Sequence, residues 1–289
     1  MIRRPPRSTP SNSSAASDVY KRQPFGESDP EEIRRHVVQS MVLAAKAGFA
    51  VDVLFEQDEL NLSEYRLILL PAIQQYLGPT WEHLLDYVRE GGNVYLSYYA
   101  GKKQFHSGLW IHNFEELTGC RHGMRYGLPD PLPNPLKLSF QSTKWELRYP
   151  VMSSPFETSH LPIEPTEPSI RVFKLDGEIL KFTVRPKDKG NFIFLNFPLE
   201  HLLAVTPYVN YADRSDVIYG FLADLAGIDR YRTDNPMVRV RQVKVSSKER
   251  LFLQNVSWQV EKVSNVLLPR KNVRFDAELN PKEVKELPL

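Results

Sequence analysis

The sequence predicts an α/β protein: a doubly wound, mostly parallel sheet followed by a small all-β, sandwich-like domain. Three observations carry this reading. Residues 65–100, YRLILLPAIQQYLGPTWEHLLDYVREGGNVYLSYYA, read as strand, helix and strand. Residues 28–54 read as a helix running into a strand. After Ile228 the helical periodicity gives way to alternating strands.

The first 23 residues, MIRRPPRSTPSNSSAASDVYKRQ, are rich in Ser, Pro and Arg and lack the apolar core of a signal peptide. The tract SAASDVYKRQ resembles translated sequencing-adaptor tracts, so residues 1–23 are expected to be a disordered, non-native leader. The α/β domain is assigned to 24–228. In its opening helix Ser28 or Asp29 caps, Pro30 suits the first helical position, and Glu31 and Glu32 complement the helix dipole. Ile33, Val37, Met41, Leu43 and Ala44 are expected to face inward, Gly48 to end the helix, and Val51, Val53 and Leu54 to form a strand. A doubly wound domain normally places a strand before this helix. The leader occupies that position, so the sheet is expected to lack its first strand.

The next unit is the most informative. Leu67–Leu70 and Val94–Leu96 are continuous apolar runs, as in strands buried on both faces. Between them Trp81, Leu84, Leu85 and Val88 recur at helical spacing, with Glu82, Asp86, Arg89 and Glu90 on the other face. Thr80 is the expected N-cap, and Gly91-Gly92 the left-handed stop. Strand, helix and strand within about 35 residues make a right-handed βαβ unit.

A short helix is expected over 111–118, then a proline-rich excursion through Pro155 rather than core. PLKLSF, KWELRYPV, IRVFKL, EILKFTVRP and GNFIFLNFPLE read as strands, with Asp176-Gly177 as a hairpin turn. Residues 215–228 read as a closing helix with Val217, Ile218, Phe221, Leu222 and Leu225 on one face. The β-domain, 229–289, has strands at Val238–Val245, LFLQNVSWQV and NVRFDAEL. Val238, Val240, Val243 and Val245 share a face only if Arg241-Gln242 is a bulge. The final KELPL reads as truncation before a last strand.

Composition is that of a soluble globular chain, 42% apolar and 25% charged over 289 residues. Net charge is +2, and the leader alone carries +4, leaving −2 on the rest. Neither nucleic acid nor membrane is implied as a partner, and no apolar run approaches a transmembrane length. The 13 Lys/Arg of residues 230–289 lack interleaved stacking aromatics and read as solvated strand faces. One cysteine, Cys120, excludes an internal disulfide and reads as a small buried residue. The seven histidines form no HxH, HxxxH or HExxH motif, so no metal site and no cofactor are expected. Glu115 and Glu116 are adjacent on a helix and point apart, unlike the paired carboxylates of glycosidic hydrolysis. No Ser or Cys nucleophile follows the strand at 94–97, where Tyr98-Tyr99-Ala100-Gly101 stand.

The run YRLILLPA…TWEHLLDYVREGGNVYLSYYAG…LWIHNFEELTG…RYGL resembles the accessory domain of large glycoside hydrolases. That domain has a class I glutamine-amidotransferase-like fold with flavodoxin-like layers. The run is similar to the trimerisation domain of family 42 β-galactosidases and to its counterpart behind family 5-type cellulase or mannanase barrels, and the resemblance covers 24–289. It implies a separate catalytic barrel as partner, a homo-oligomer (a trimer among the possibilities), and the carbohydrate substrate of the parent enzyme. No catalytic residue transfers, and Tyr99-Ala100 stand at the amidotransferase nucleophile elbow. The loop 105–128 lies after a strand's carboxyl end, so Trp110, His112, Asn113, Arg121 and His122 are the candidates for an active-site mouth or interface. Two rivals stay open. One is a stand-alone amidotransferase-like-fold enzyme. The other is a carbohydrate-binding module using Trp110, Trp145 or Trp258, although Trp258 reads as core. The compartment is not fixed; a soluble protein of the bacterial cytoplasm is compatible.

Overall fold

The computed structural model describes residues 12–16, 30–55, 61–72, 78–101, 114–125, 128–245, 248–269 and 271–287. In chain order the elements begin β1 (Asn12–Ala16), α1 (Pro30–Ala47), β2 (Val51–Phe55), β3 (Leu67–Leu70), α2 (Gly78–Arg89), β4 (Asn93–Ser97), α3 (Phe114–Thr118) and β5 (Cys120–His122). They continue with β6 (Asp130–Pro131), β7 (Leu136–Phe140), β8 (Thr143–Leu147), β9 (Ser159–His160), β10 (Ile163–Pro165), β11 (Arg171–Asp176), β12 (Leu180–Lys187), β13 (Gly190–Leu195), α4 (Leu199–Val205) and α5 (Asp216–Leu225). The last are β14 (Arg232–Thr233), β15 (Val238–Val245), β16 (Lys248–Asn255), β17 (Glu261–Leu268), β18 (Lys271–Leu279) and β19 (Val284–Leu287). No helix among the described residues is long and apolar enough to cross a membrane.

The main sheet has seven strands in the order β11-β12-β13-β4-β3-β1-β2. The five from β13 to β2 run parallel, and β12 and β11 continue the sheet antiparallel. The expected vacancy before α1 is filled: Asn12–Ala16 pairs along β2 and also with β3. The leader is therefore not disordered throughout, since five of its residues form a strand; the rest of residues 1–23 lies outside the described residues.

The βαβ unit forms as the apolar runs dictate. Every residue of β3 and β4 is buried. On α2, Leu84 and Val88 are buried and Glu82, Asp86, Arg89 and Glu90 are exposed. Gly91 has φ +114°, the left-handed stop. Gly92 has no space for a side chain, because a Cβ there would lie 2.1 Å from the Tyr87 ring. The helix begins at Gly78, so Thr80 lies inside its first turn and is not its N-cap. The proline-rich excursion does contribute core. β7 alternates buried and exposed, and Phe140 packs edge-on to Phe182, which stacks on Phe173.

Residue contacts divide the chain into two compact units, Met1–Ser40 with Val51–Arg214, and Met41–Ala50 with Ser215–Leu289. The closing helix α5 therefore belongs to the second unit. It buries Ile218, Tyr219, Leu222 and Ala223, while Val217, Phe221 and Leu225 of the expected stripe are half-buried.

In the second unit a six-stranded sheet runs β18-β17-β14-β15-β16-β19, with every pairing antiparallel. Its core is Val238, Leu251, Leu253, Val263, Val266, Leu279 and Leu287. β15 pairs with β16 residue by residue from Val238 to Val245, so no bulge interrupts Arg241-Gln242. The alternation persists: Val238 is buried and Val243 exposed. The register shift lies elsewhere, between Val263 and Asn265 against β18. Trp258 is not in a strand and is 75% exposed, because β16 ends at Asn255.

A buried carboxylate and histidine cluster at the strand ends

The carboxyl ends of the parallel strands in the first unit converge on a buried polar cluster, the position where open α/β sheets place ligand sites. Its first members come from α1. The helix buries Glu32, His36, Gln39 and Ser40, a polar stripe at helical spacing, while Met41, expected inside, is 36% exposed. Residues four apart lie one above the other on a helix, so Glu32 and His36 face the same way.

The second contribution follows β4. Tyr99, at the elbow position, turns its hydroxyl inward and donates to Glu32 Oε1 at 2.9 Å. Burial, then the Glu32 carboxylate, pushes this phenol far above its ordinary range, which keeps it a donor. The third comes from α4, which starts four residues after β13. His201 Nδ1 lies 2.9 Å from His36 Nε2, and the ring stacks on Tyr99 with centroids 4.5 Å apart. The same nitrogen is 3.9 Å from Glu32 Oε1. On its far side His201 Nε2 is 3.7 Å from Glu157 Oε2. Glu157 is held in turn by Ser153 Oγ and by the Ser154 N–H in a capping box, at 2.8 and 3.1 Å.

Glu200, next to His201, is fully buried and accepts from Tyr95 OH at 2.8 Å and Ser97 Oγ at 2.6 Å. Ser97 Oγ accepts from the Ala72 N–H at the end of β3. Two neighbouring strands, β3 and β4, are thereby tied to α4. Glu32, His36 and His201 each offer one ligand-type atom, all within 4.8 Å of one another, in a donor set suited to a divalent transition metal.

Of the candidates taken from the sequence, Arg121 and His122 lie elsewhere. Arg121 and His122 are exposed on β5, which pairs with β10. Arg121 Nη2 is 4.0 Å from Glu115 Oε1, and the His122 ring meets Phe114 edge-on at 6.0 Å. Trp110, His112 and Asn113 lie outside the described residues. Cys120 is fully buried, and burial raises its thiol pKa. Trp145 is buried on β8, and the Lys282 ammonium sits 4.1 Å over the Trp258 ring. The sequence reading missed the buried cluster, assigning Glu32 to the helix dipole and treating His36 singly. Only the Glu32-x-x-x-His36 spacing was there to find; His201 is 165 residues further on.

The model of the β-galactosidase trimerisation domain matches residues 34–146. No curated protein matches the chain. Among solved structures, a β-galactosidase from Rahnella sp. R3 superposes with a TM-score of 0.58 at 16% identity, over 96% of this chain and 40% of that one. A catalytic mutant of a GH42 β-galactosidase from G. stearothermophilus gives 0.55 at 16% identity, over 95% and 40%. An exo-β-1,4-mannosidase from Opitutaceae bacterium strain TAV5 gives 0.54 at 12% identity, over 75% and 36%. This chain thus spans about two fifths of the length of the β-galactosidases, and at these identities the likeness is one of fold. Over residues 34–146 the chain is similar to the β-galactosidase trimerisation domain family.

Proposed function

We propose that this chain is the non-catalytic, oligomer-forming accessory region of a carbohydrate-active glycoside hydrolase of β-galactosidase, cellulase or mannanase type. The observation that carries the proposal is the trimerisation-domain match over 34–146. The elbow supports it: Tyr99 stands there, hydrogen-bonded inward to Glu32. The parallel strand order β2-β1-β3-β4-β13 reverses direction between β1 and β3, which favours a doubly wound, flavodoxin-like sheet.

On this reading the catalytic carboxylates reside in a barrel domain of the parent enzyme, and its carbohydrate is that barrel's substrate. The segment around Arg121 and His122, with Trp110, His112 and Asn113, leans toward a neighbouring protomer's active-site mouth. The purified chain should not hydrolyse aryl β-galactosides or β-mannosides, and turnover that follows the chain through purification would overturn the non-catalytic reading. In the parent enzyme, Trp110→Ala with His112→Ala should lower kcat/KM with assembly intact; unchanged kinetics would remove the loop from the proposal. Among the described residues nothing favours the carbohydrate-binding alternative, since Trp145 is buried and a face of Trp258 is covered by Lys282; Trp110 lies outside them.

A further inference from the structure

We propose that Glu32, His36 and His201 form a binding site for one divalent cation of the zinc class. Zinc bonds of about 2.0–2.1 Å place tetrahedral ligand atoms about 3.4 Å apart. The three atoms here span that spacing: His36 Nε2 and His201 Nδ1 are 2.9 Å apart, His201 Nδ1 and Glu32 Oε1 3.9 Å, and all lie within 4.8 Å. Two imidazoles and one carboxylate are borderline donors that suit zinc, and they leave a fourth position open.

The surroundings are built for ligation. Glu32 and His36 are fixed one turn apart on an 18-residue helix, so closing on an ion requires side-chain rotation only. Tyr99 OH orients Glu32. The His201 nitrogen that points away from the trio lies 3.7 Å from Glu157 Oε2, with a carboxylate facing it across a gap longer than a hydrogen bond. Closing that gap on metal binding would give the carboxylate–imidazole–metal arrangement that supports zinc histidines. All three donors are nearly inaccessible, at 6, 2 and 1% exposure, so the ion would be held out of water. The ion takes the place of the proton that now joins the two imidazoles, with the nitrogens separating by a few tenths of an ångström.

The test uses the purified chain, stripped with chelator and titrated with Zn²⁺ alone, with Co²⁺ as a spectroscopic substitute. One equivalent of Zn²⁺ per chain should survive desalting, Co²⁺ should give the intense visible bands of a four-coordinate site, and Zn²⁺ should raise Tm as expected for a ligand of the native state. His201→Gln and His36→Gln should abolish all three. Glu157→Gln, which keeps every donor, should weaken binding by about 10- to 100-fold and so informs even if the histidine variants do not fold. A folded apo chain that takes up no Zn²⁺ and shows no Tm shift overturns the proposal. So does uptake unchanged in His36→Gln, His201→Gln or Glu157→Gln. The inference does not depend on the accessory-region reading, because its readouts involve neither assembly nor hydrolysis.

Discussion

Glu200→Ala is the most informative single perturbation of the fold. The carboxylate is fully buried and accepts from Tyr95 OH and Ser97 Oγ, and Ser97 Oγ also anchors the Ala72 N–H. Ala72 has φ +48°, a conformation a non-glycine residue holds only when its surroundings fix it. Truncation strands two hydroxyl donors and opens a cavity. Leaving a buried donor unsatisfied costs about 1–3 kcal/mol, so the loss should be about 2–6 kcal/mol. That is a large fraction of a typical domain stability of roughly 5–15 kcal/mol. Urea unfolding at constant m-value measures it. Tyr95→Phe removes one donor with its ring intact and should cost about 1–2 kcal/mol on its own. In the Glu200→Ala background the same change should cost almost nothing, because the stranded hydroxyl has gone. The cycle should therefore return a coupling of at least about 1 kcal/mol. The reasoning is refuted if Glu200→Ala melts with wild type, or if Tyr95→Phe costs the same in both backgrounds.

Three further outcomes follow from other positions. Gly190→Ala would put a Cβ 2.1 Å from the Gly92 carbonyl oxygen and 2.5 Å from that of Val88; it should lower stability by about 1–3 kcal/mol or more, seen as a drop in Tm. Cys120 is fully buried with its thiol pKa raised by desolvation, so native protein should resist a thiol reagent that labels the urea-unfolded chain rapidly; equal labelling rates would contradict its burial. Burial lowers the pKa of His160 from 6.5, with Asp130 opposing in part. The unfolded chain then binds the extra proton first, so this group's contribution is intact above about pH 6.5 and is lost as pH falls through its lower folded value. His160→Gln should flatten that limb of the stability profile, and parallel profiles would exclude His160 as its source.

The sheet was legible where one local rule decided each element. Leu67–Leu70 and Val94–Leu96 are continuous apolar runs, and Gly91-Gly92 stops a helix with one clear apolar face. Rules that depend on the partner strand or on tertiary neighbours were harder to read. The four valines of β15 could share a face only with a bulge at Arg241-Gln242; the unbroken pairing with β16 excludes that bulge and sends Val243 outward. Trp258 was read as core because the strand was drawn too long. The β7 and β8 strands were read as strands, but the surrounding prolines hid their part in the core, although the alternation of β7 is plain. The buried cluster was the least legible feature. A polar stripe on α1 looks like a solvated face until α4 and Tyr99 are seen to close over it, and His36 and His201 meet only through the fold.

The assembly state of the purified chain tests the central claim most directly, by sedimentation equilibrium or light scattering after chromatography. The account predicts a concentration-stable oligomer, a trimer of the 33.4 kDa chain, about 100 kDa, being one of the forms it allows. A folded chain that remains a 33.4 kDa monomer at every concentration measured would contradict an oligomer-forming role for this region.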